Sequence, residues 1–372
     1  MSSILTGKEF NEKYQGKNFV KLTNLLENHN GYQFQTGLNV DTLKFDPYYQ
    51  FCAGGIYFCE LRKSPSWIEY VCLTMIQTMI YARSVTIPDN AQVYEEDNSW
   101  KADQLILGER TLISELEIWN DIDYCLEAVK QSGKALKYVR NQTIELCMEA
   151  VKQNGYAALQ YVENQTEEIC LEAVRSDTDA LRYVKNQSFK ICLEAIERDT
   201  EVLRYVENQT PELCLLAVKK NGNALRYVRN QTIEVCMEAI KENCYALGYV
   251  KDQTEELCLE AVRQDGRALE EVRAQTHEVC LAAVRHTGRA LKYVLNQTEE
   301  ICLAAVRQEG FALRYVNDQT EAICLEAVEQ DGSVLRFVKN QTPEICLAAV
   351  KQYNNALKYV KEEFINLFIS DQ

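Results

Sequence analysis

The chain has 372 residues, 47% hydrophobic and 26% charged, with 40 Lys and Arg against 55 Asp and Glu for a net charge of −15. That apolar content excludes wholesale disorder, and the acidic balance argues against non-specific binding to nucleic acid or anionic membranes, which favour a basic surface. Three histidines (His29, His277 and His286) are too few for a His-built metal or catalytic centre, and five prolines argue against a turn-dense all-β chain.

In chain order, the opening residues hold no apolar run between a basic end and a small-residue cleavage site, so no signal peptide is expected. Trp67–Ala82 is the longest apolar-looking stretch. Glu69, Thr74, Gln77 and Thr78 interrupt it, and it is shorter than the roughly 18–20 residues of a membrane span. An intracellular, reducing compartment with free thiols is therefore expected. Residues 1–118 read as a small α+β domain, with strands at Gly55–Cys59, Ala82–Pro88 and Ala102–Leu107 and an amphipathic helix at Ser66–Tyr81. Cys52, Cys59 and Cys72 fit no C-x-x-C pairing and lack an evident fourth ligand, so they read as buried thiols. No nucleophile–base pair, phosphate loop or supported carboxylate dyad is present, so neither an enzyme nor a cofactor is expected.

From Trp119 to about Lys361 the chain repeats itself. Asn-Gln-Thr, or a near variant, begins at Asn141, Asn164, Asn186, Asn208, Asn230, Asp252, Ala274, Asn296, Asp318 and Asn340, at a spacing of 22 residues after a first step of 23. A degenerate unit opening at Trp119, with Asp121 in place of the Thr, makes eleven. Each unit reads as two short helices. Thr is a good N-cap, Pro211 and Pro343 fall where a missing N–H costs nothing, and the I, C, L, A and V positions make one broad apolar stripe. Glu in the first turn and Lys or Arg in the last suit the helix dipole. Gly133, Gly155, Gly222, Gly266, Gly288, Gly310 and Gly332 then predict a left-handed helix terminus. On that reading Thr178, Thr200 and Cys244 need a different turn or some strain. The second helix, A-L-R-Y-V, is barely two turns, and the extra residue in Gly155–Ala158 falls at the turn before it. Helices this short are marginal alone, so the fold expected is mainly α: an α-solenoid of eleven helix-turn-helix repeats over residues 119–361 behind the front domain. Residues 362–372 read as a capping helix and tail.

Three columns run through the repeats. Cys125, Cys147, Cys170, Cys192, Cys214, Cys236, Cys258, Cys280, Cys302, Cys324 and Cys346 share one position, with a constant Ala three residues on. One thiol per unit cannot converge on a single ion, so a small soft core residue at a tight helix contact is the reading, and no metal is expected. The aromatic column (Tyr138, Tyr161, Tyr183, Tyr205, Tyr227, Tyr249, Tyr293, Tyr315, Phe337 and Tyr359, with Glu271 as the exception) reads as core with hydroxyls at the edge. Before it runs a basic row, Lys137, Arg182, Arg204, Arg226, Lys292, Arg314, Arg336 and Lys358, interrupted at Gly248 and Glu270. Further rows of Lys or Arg after the A-V pair and of acids before the I-C pair predict solvated faces with cross-repeat ion pairs, each of small energy. The Asn-Gln-Thr/Ser sequons are read as capping and turn chemistry, not as glycosylation sites.

Two segments resemble known families. The unit Asn340-Gln341-Thr342-Pro343-Glu344-Ile345-Cys346-Leu347-Ala348-Ala349-Val350, closing on Ala356-Leu357-Lys358-Tyr359-Val360, is similar to an uncharacterised repeat family of giant amoeba-infecting DNA viruses of the mimivirus group, also known from some bacteria and protists. The front segment, with Gly37-Leu38-Asn39-Val40-Asp41, Cys52-Ala53-Gly54-Gly55-Ile56-Tyr57-Phe58 and Trp100-Lys101-Ala102-Asp103-Gln104-Leu105, resembles the amino-terminal region of ankyrin-repeat proteins of the same viruses. The resemblance implies a viral protein made in the host cytoplasm or viral factory, with no catalytic residues to carry over. The expected function is non-enzymatic protein binding or scaffolding, with a host or viral protein as partner and no membrane. The alternative is binding of nucleic acid or an acidic peptide along the basic row.

Overall fold

Runs rich in Val, Ile, Phe and Tyr turn the front of the chain into strands. The computed structural model describes residues 4–29, 32–46, 54–64, 79–96 and 99–368. The chain divides into two units, Met1–Glu194 and Ala195–Gln372.

In the first unit the strands are β1 (Ile4–Thr6), β2 (Phe19–Asn24), β3 (Asn28–His29), β4 (Tyr32–Gln33), β5 (Gly37–Val40), β6 (Ile56–Glu60), β7 (Met79–Thr86), β8 (Gln92–Glu95), β9 (Trp100–Ala102) and β10 (Gln104–Leu112). Eight of them form one sheet in the order β1-β8-β9-β6-β2-β7-β10-β5, and β3 and β4 pair as a separate hairpin. A register such as Phe19↔Val85↔Leu107 keeps apolar side chains on the core face. The helix α1 (Gly7–Lys13) starts in a reciprocal Thr6–Glu9 capping box. It brings Phe10 against Phe19, Phe58 and Trp100, with ring centroids 5.0, 5.8 and 6.1 Å away. The expected helix Ser66–Tyr81 lies outside the described residues as far as 78. Its last residues, Met79–Tyr81, are strand, because Met79 pairs with Asn24 and Tyr81 with both Thr23 and Leu112. Among the described residues the front region is therefore chiefly sheet, with one short α-helix and brief 3₁₀ turns.

The first repeat follows in the same unit. Trp119 is buried, donates its indole N–H to the Ile113 carbonyl at 2.8 Å and stacks on Tyr138. Asp121 caps the helix Ile122–Gln131 and pairs with Arg62 at 2.7 Å, while the Tyr124 hydroxyl meets Ser64 Oγ at 2.8 Å. These contacts join the sheet to the first repeat.

Throughout the repeats a ten-residue α-helix alternates with a short second helix at the 22-residue period, from Ile122–Gln131 to Pro343–Gln352. Thr or Ser caps the first helix as expected; Thr298 Oγ1, for example, accepts the Ile301 N–H at 3.3 Å. The second helix is a six-residue 3₁₀ helix, as in Gly288–Tyr293, closed by a bond from the Val294 N–H to the Leu291 carbonyl. The unit with the extra residue differs: Gly155–Leu159 is α-helical, so the insertion is absorbed by the helix type and not by the turn. Within each unit of the chain, consecutive first helices pack on one another and consecutive second helices do the same. No helix among the described residues is long and apolar enough to cross a membrane.

The glycines do not play the expected part. Among the described residues positive φ occurs only at Glu27, Gly16, Gly37 and Gly55. Each repeat's turn is instead one extended residue, such as Thr287 (φ −142°, ψ 103°), after which Gly opens the 3₁₀ helix. Thr178, Thr200 and Cys244 take the same backbone path, so no alternative turn is needed. Gly is favoured there by close approach: a Cβ on Gly266 would stand 2.2 Å from the Ala283 carbonyl oxygen of the next repeat. The constant Ala of one repeat and the frequent Gly of the one before are two sides of a single contact.

Candidate binding surface of the repeats

A polar link recurs between repeats at a side chain that reads in the sequence as part of a turn. Gln297 Nε2 donates to the Leu291 carbonyl of its own repeat (3.4 Å) and to the Tyr315 carbonyl of the next (2.9 Å). Its Oε1 accepts the Asn317 backbone N–H at 2.9 Å and the Cys302 thiol at 3.6 Å. Gln142, Gln165, Gln231 and Gln319 make the same four contacts. One amide thus satisfies backbone groups at the end of two second helices that would otherwise be unpaired. A signal for it was present: Asp252, Ala274 and Asp318 replace Asn in the tripeptide, yet Gln occurs in all ten.

A second set of bonds joins the glycine turns. The N–H of Gly288, Gly310 and Gly332 donates to Gln308, Gln330 and Gln352 of the following repeat at 2.6, 2.8 and 2.6 Å. At the other end of the second helices, long basic side chains after the Val position add a third link, Lys251 Nζ reaching the Arg229 carbonyl at 2.6 Å and Lys339 Nζ the Asn317 carbonyl at 2.8 Å.

The cysteine column is buried in every repeat. Burial pushes the Cys170, Cys302 and Cys324 thiols up to about 11, which keeps them protonated at neutral pH. Their weak bonds to Gln Oε1 are the specific contact a thiol adds over an alkyl group. Replacing Cys236, Cys258 and Cys280 together by Ala is expected to preserve the far-UV circular dichroism spectrum and to cost about 1 kcal/mol per site; loss of helicity would contradict a packing role. In the front region Cys59 is buried on β6 and its thiol is pushed up to about 12, again by burial. Cys52 and Cys72 lie outside the described residues. Among those described, no three His, Cys, Asp or Glu side chains are grouped to hold a metal ion.

The basic row and the aromatic column turn out to be one feature. The rings are half-buried rather than core, with Tyr249 exposed, and the cations of the row lie on the rings beside them. Arg204 sits 4.7 Å from the Tyr205 ring and 5.8 Å from that of Tyr227, and Arg314 sits 5.2 Å from Tyr315 and 5.7 Å from Phe337. Arg336 lies over Phe337, Phe311 and Tyr359 at 4.8, 5.2 and 6.0 Å. Lys137, Arg182, Arg226, Lys292 and Lys358 cover their own neighbouring rings in the same way. Such contacts are worth about 0.5–1 kcal/mol each at exposed sites. The result is a ladder of alternating cations and rings along the second helices.

One position on this face varies widely. The residue after Gly, or its equivalent, is Lys134, Tyr156, Asp179, Glu201, Asn223, Tyr245, Arg267, Arg289, Phe311, Ser333 and Asn355. It touches the ladder of the next repeat: Glu201 pairs with Arg226 at 2.9 Å, Tyr156 packs on Tyr183 and Phe311 on Phe337. A fixed framework with one variable side chain per repeat gives each repeat a different local chemistry. Clefts of 460 and 500 Å³ also open between successive Asn-Gln-Thr loops, one lined by Asn296, Thr298 and Asp318, the other by Asn230, Thr232 and Asp252.

These features define a helical-repeat protein with a sheet region at its front. Residues 143–190, 210–254, 232–273 and 320–365 match the domain of unknown function DUF4116. Over 116 residues the chain is 30% identical to an uncharacterized protein of Acanthamoeba polyphaga mimivirus, an alignment that covers 29% of this chain and 78% of that relative. The chain belongs to this giant-virus family of helical repeats. No solved structure matches it.

Proposed function

We propose that the repeats form an α-solenoid that binds other proteins and performs no chemistry of its own, acting in the cytoplasm or viral factory of an infected host cell. One observation carries this reading: the cation–ring ladder of the second helices is exposed beside the one position per repeat that varies most. Exposed Arg and aromatic side chains are the residue types that dominate protein interfaces. The nucleic-acid alternative is less well supported, because bases stack on open ring faces and here the row's own cations already cover the rings. Residues 119–372 also carry a net charge of −10.

The test compares the tagged full chain with a variant carrying Phe311→Ala, Arg314→Ala and Arg336→Ala, both produced in infected amoebae and purified by affinity. The expected result is at least one protein recovered with the native chain and lost with the variant, at equal helicity and thermal midpoint. Identical sets of recovered proteins would overturn the proposal, as would salt-sensitive recovery of RNA or DNA alone.

A further inference from the structure

The first helices carry an internal control on charge. Three ion pairs link the cation after the A-V pair of one repeat to the Glu after the Cys-Leu pair of the next: Arg175–Glu194 at 3.2 Å, Lys219–Glu238 at 3.8 Å and Arg307–Glu326 at 3.0 Å. Ten successive junctions exist among the eleven units, and six of them have a Lys or Arg followed by a Glu at these two positions. Two more lack both partners, Glu197 preceding Leu216 and Glu329 preceding Ala348. Cation and acid are thus present together or absent together at eight junctions. The exceptions are consecutive: Arg263 precedes Ala282, and Arg285 precedes Ala304.

Those two exchanges leave their cations without the usual acid. Arg263 and Arg285 are exposed and have no carboxylate within 4 Å among the described residues, whereas Arg307 in the next repeat is paired. At Ala304, where most repeats have Glu, the surface holds a depression of 640 Å³ lined by Arg285, Glu299, Glu300, Leu303, Ala304 and Arg307, with Arg263 and Ala282 one repeat before it. Its two carboxylates are engaged elsewhere: Glu299 accepts from the Thr320 hydroxyl at 3.1 Å, and Glu300 lies 3.2 Å from His277 Nε2. The site therefore offers two guanidinium groups one repeat apart, with small Ala side chains beside them and the half-buried Leu303 in one wall.

We infer that this notch on the first helices binds an acidic segment of a partner protein, whose carboxylates take the places left by the two missing Glu side chains. Guanidinium groups bind carboxylates through paired, charge-assisted hydrogen bonds. Neighbouring helices lie about 8–10 Å apart, close to the roughly 9 Å between residues three apart on a peptide extended as polyproline II, whose three-residue turn brings them to one face. An extended peptide with acids at that spacing matches both cations. The notch lies on a different face from the cation–ring ladder and is independent of it.

The test uses a fluorescein-labelled peptide of twelve residues with Glu at every third position, its binding to the full chain followed by anisotropy at low and physiological salt. Binding is expected to weaken with salt and to weaken at least tenfold in the double variant Ala282→Glu/Ala304→Glu. That variant only restores the residue found in seven other repeats, so its fold and thermal midpoint should hold. Arg263→Ala/Arg285→Ala should match it, whereas Arg175→Ala/Lys219→Ala, at cations already paired with Glu194 and Glu238, should bind as the native chain does. Absence of binding at low salt, or binding unchanged by the Ala→Glu exchanges, would overturn the inference. So would a labelled oligonucleotide of equal charge binding the notch more tightly than the peptide.

Discussion

Gln297→Leu is expected to lower the stability of the repeats by about 2–4 kcal/mol. Leu has nearly the volume of Gln, so the exchange removes hydrogen bonds without opening a large cavity. It leaves the Tyr315 carbonyl and the Asn317 N–H without their partner and removes the acceptor of the Cys302 thiol. Unsatisfied groups of this kind cost about 1–3 kcal/mol each where water cannot replace the partner. Because a repeat array is stabilised by nearest-neighbour interfaces, Gln275→Leu added to Gln297→Leu weakens two successive junctions and should broaden the denaturation curve as well as shift it. Asn296→Ala is the control: its side chain is exposed, and the change should stay within about 0.5 kcal/mol. Urea unfolding of the full chain followed by helical circular dichroism at 222 nm reads all three, and equal midpoints for Gln297→Leu and Asn296→Ala would remove the clamp from the account.

The contrast between that Gln and the rest of its repeat shows what is legible in a sequence of this kind. Period, helix starts and buried stripe come from local rules, and Thr298, Pro343 and the I-C-L-A-V pattern report them directly. The Gln clamp does not, because its four contacts span two repeats and its residue type has no positional rule of its own. The glycines misled for a related reason. A local rule assigns Gly after a helix to a left-handed terminus, but Gly266 answers to the Ala283 carbonyl of the following repeat. The aromatic column was read as core since its neighbours are apolar, and only the placement of Arg204 and Arg314 over the rings shows it to be surface. In the front region β2 was missed because Lys21 and Asn24, both buried, break the apolar pattern of Phe19–Asn24. Buried polar residues with distant partners are what sequence patterns conceal best.

Arg83 on β7 is the strongest case of that concealment, and Arg83→Met is expected to destabilise the front sheet by about 3–5 kcal/mol. The Arg83 Nε and Nη2 each donate to a Glu27 carboxylate oxygen at 2.7 Å, and Nη1 donates to Thr36 Oγ1 at 3.0 Å and to the Gly108 carbonyl at 2.7 Å. Both side chains of the pair are over 90% buried. Glu27 also holds a positive φ of 51° in the turn between β2 and β3, so the pair anchors a backbone that favours other residues. Removing Arg83 strands the Glu27 charge; Arg110, 3.8 Å away and half exposed, is a weak substitute. Adding Glu27→Gln should therefore recover much of the loss. The pH dependence separates this from simple packing. Arg83 holds the Glu27 carboxyl below its ordinary value of 4.5, so in the native chain the pair's contribution is complete above that value and is lost as pH falls through the lower folded one. Without Arg83, burial raises the same carboxyl, the sign reverses, and acid should relieve the variant instead of weakening it. Trp67, Trp100 and Trp119 all lie in the first 119 residues, so tryptophan emission during urea unfolding of the full chain reports this region while the signal at 222 nm reports the repeats. Parallel pH profiles for native and Arg83→Met emission midpoints between pH 3 and 7 would show that the ion pair does not govern the stability of the sheet.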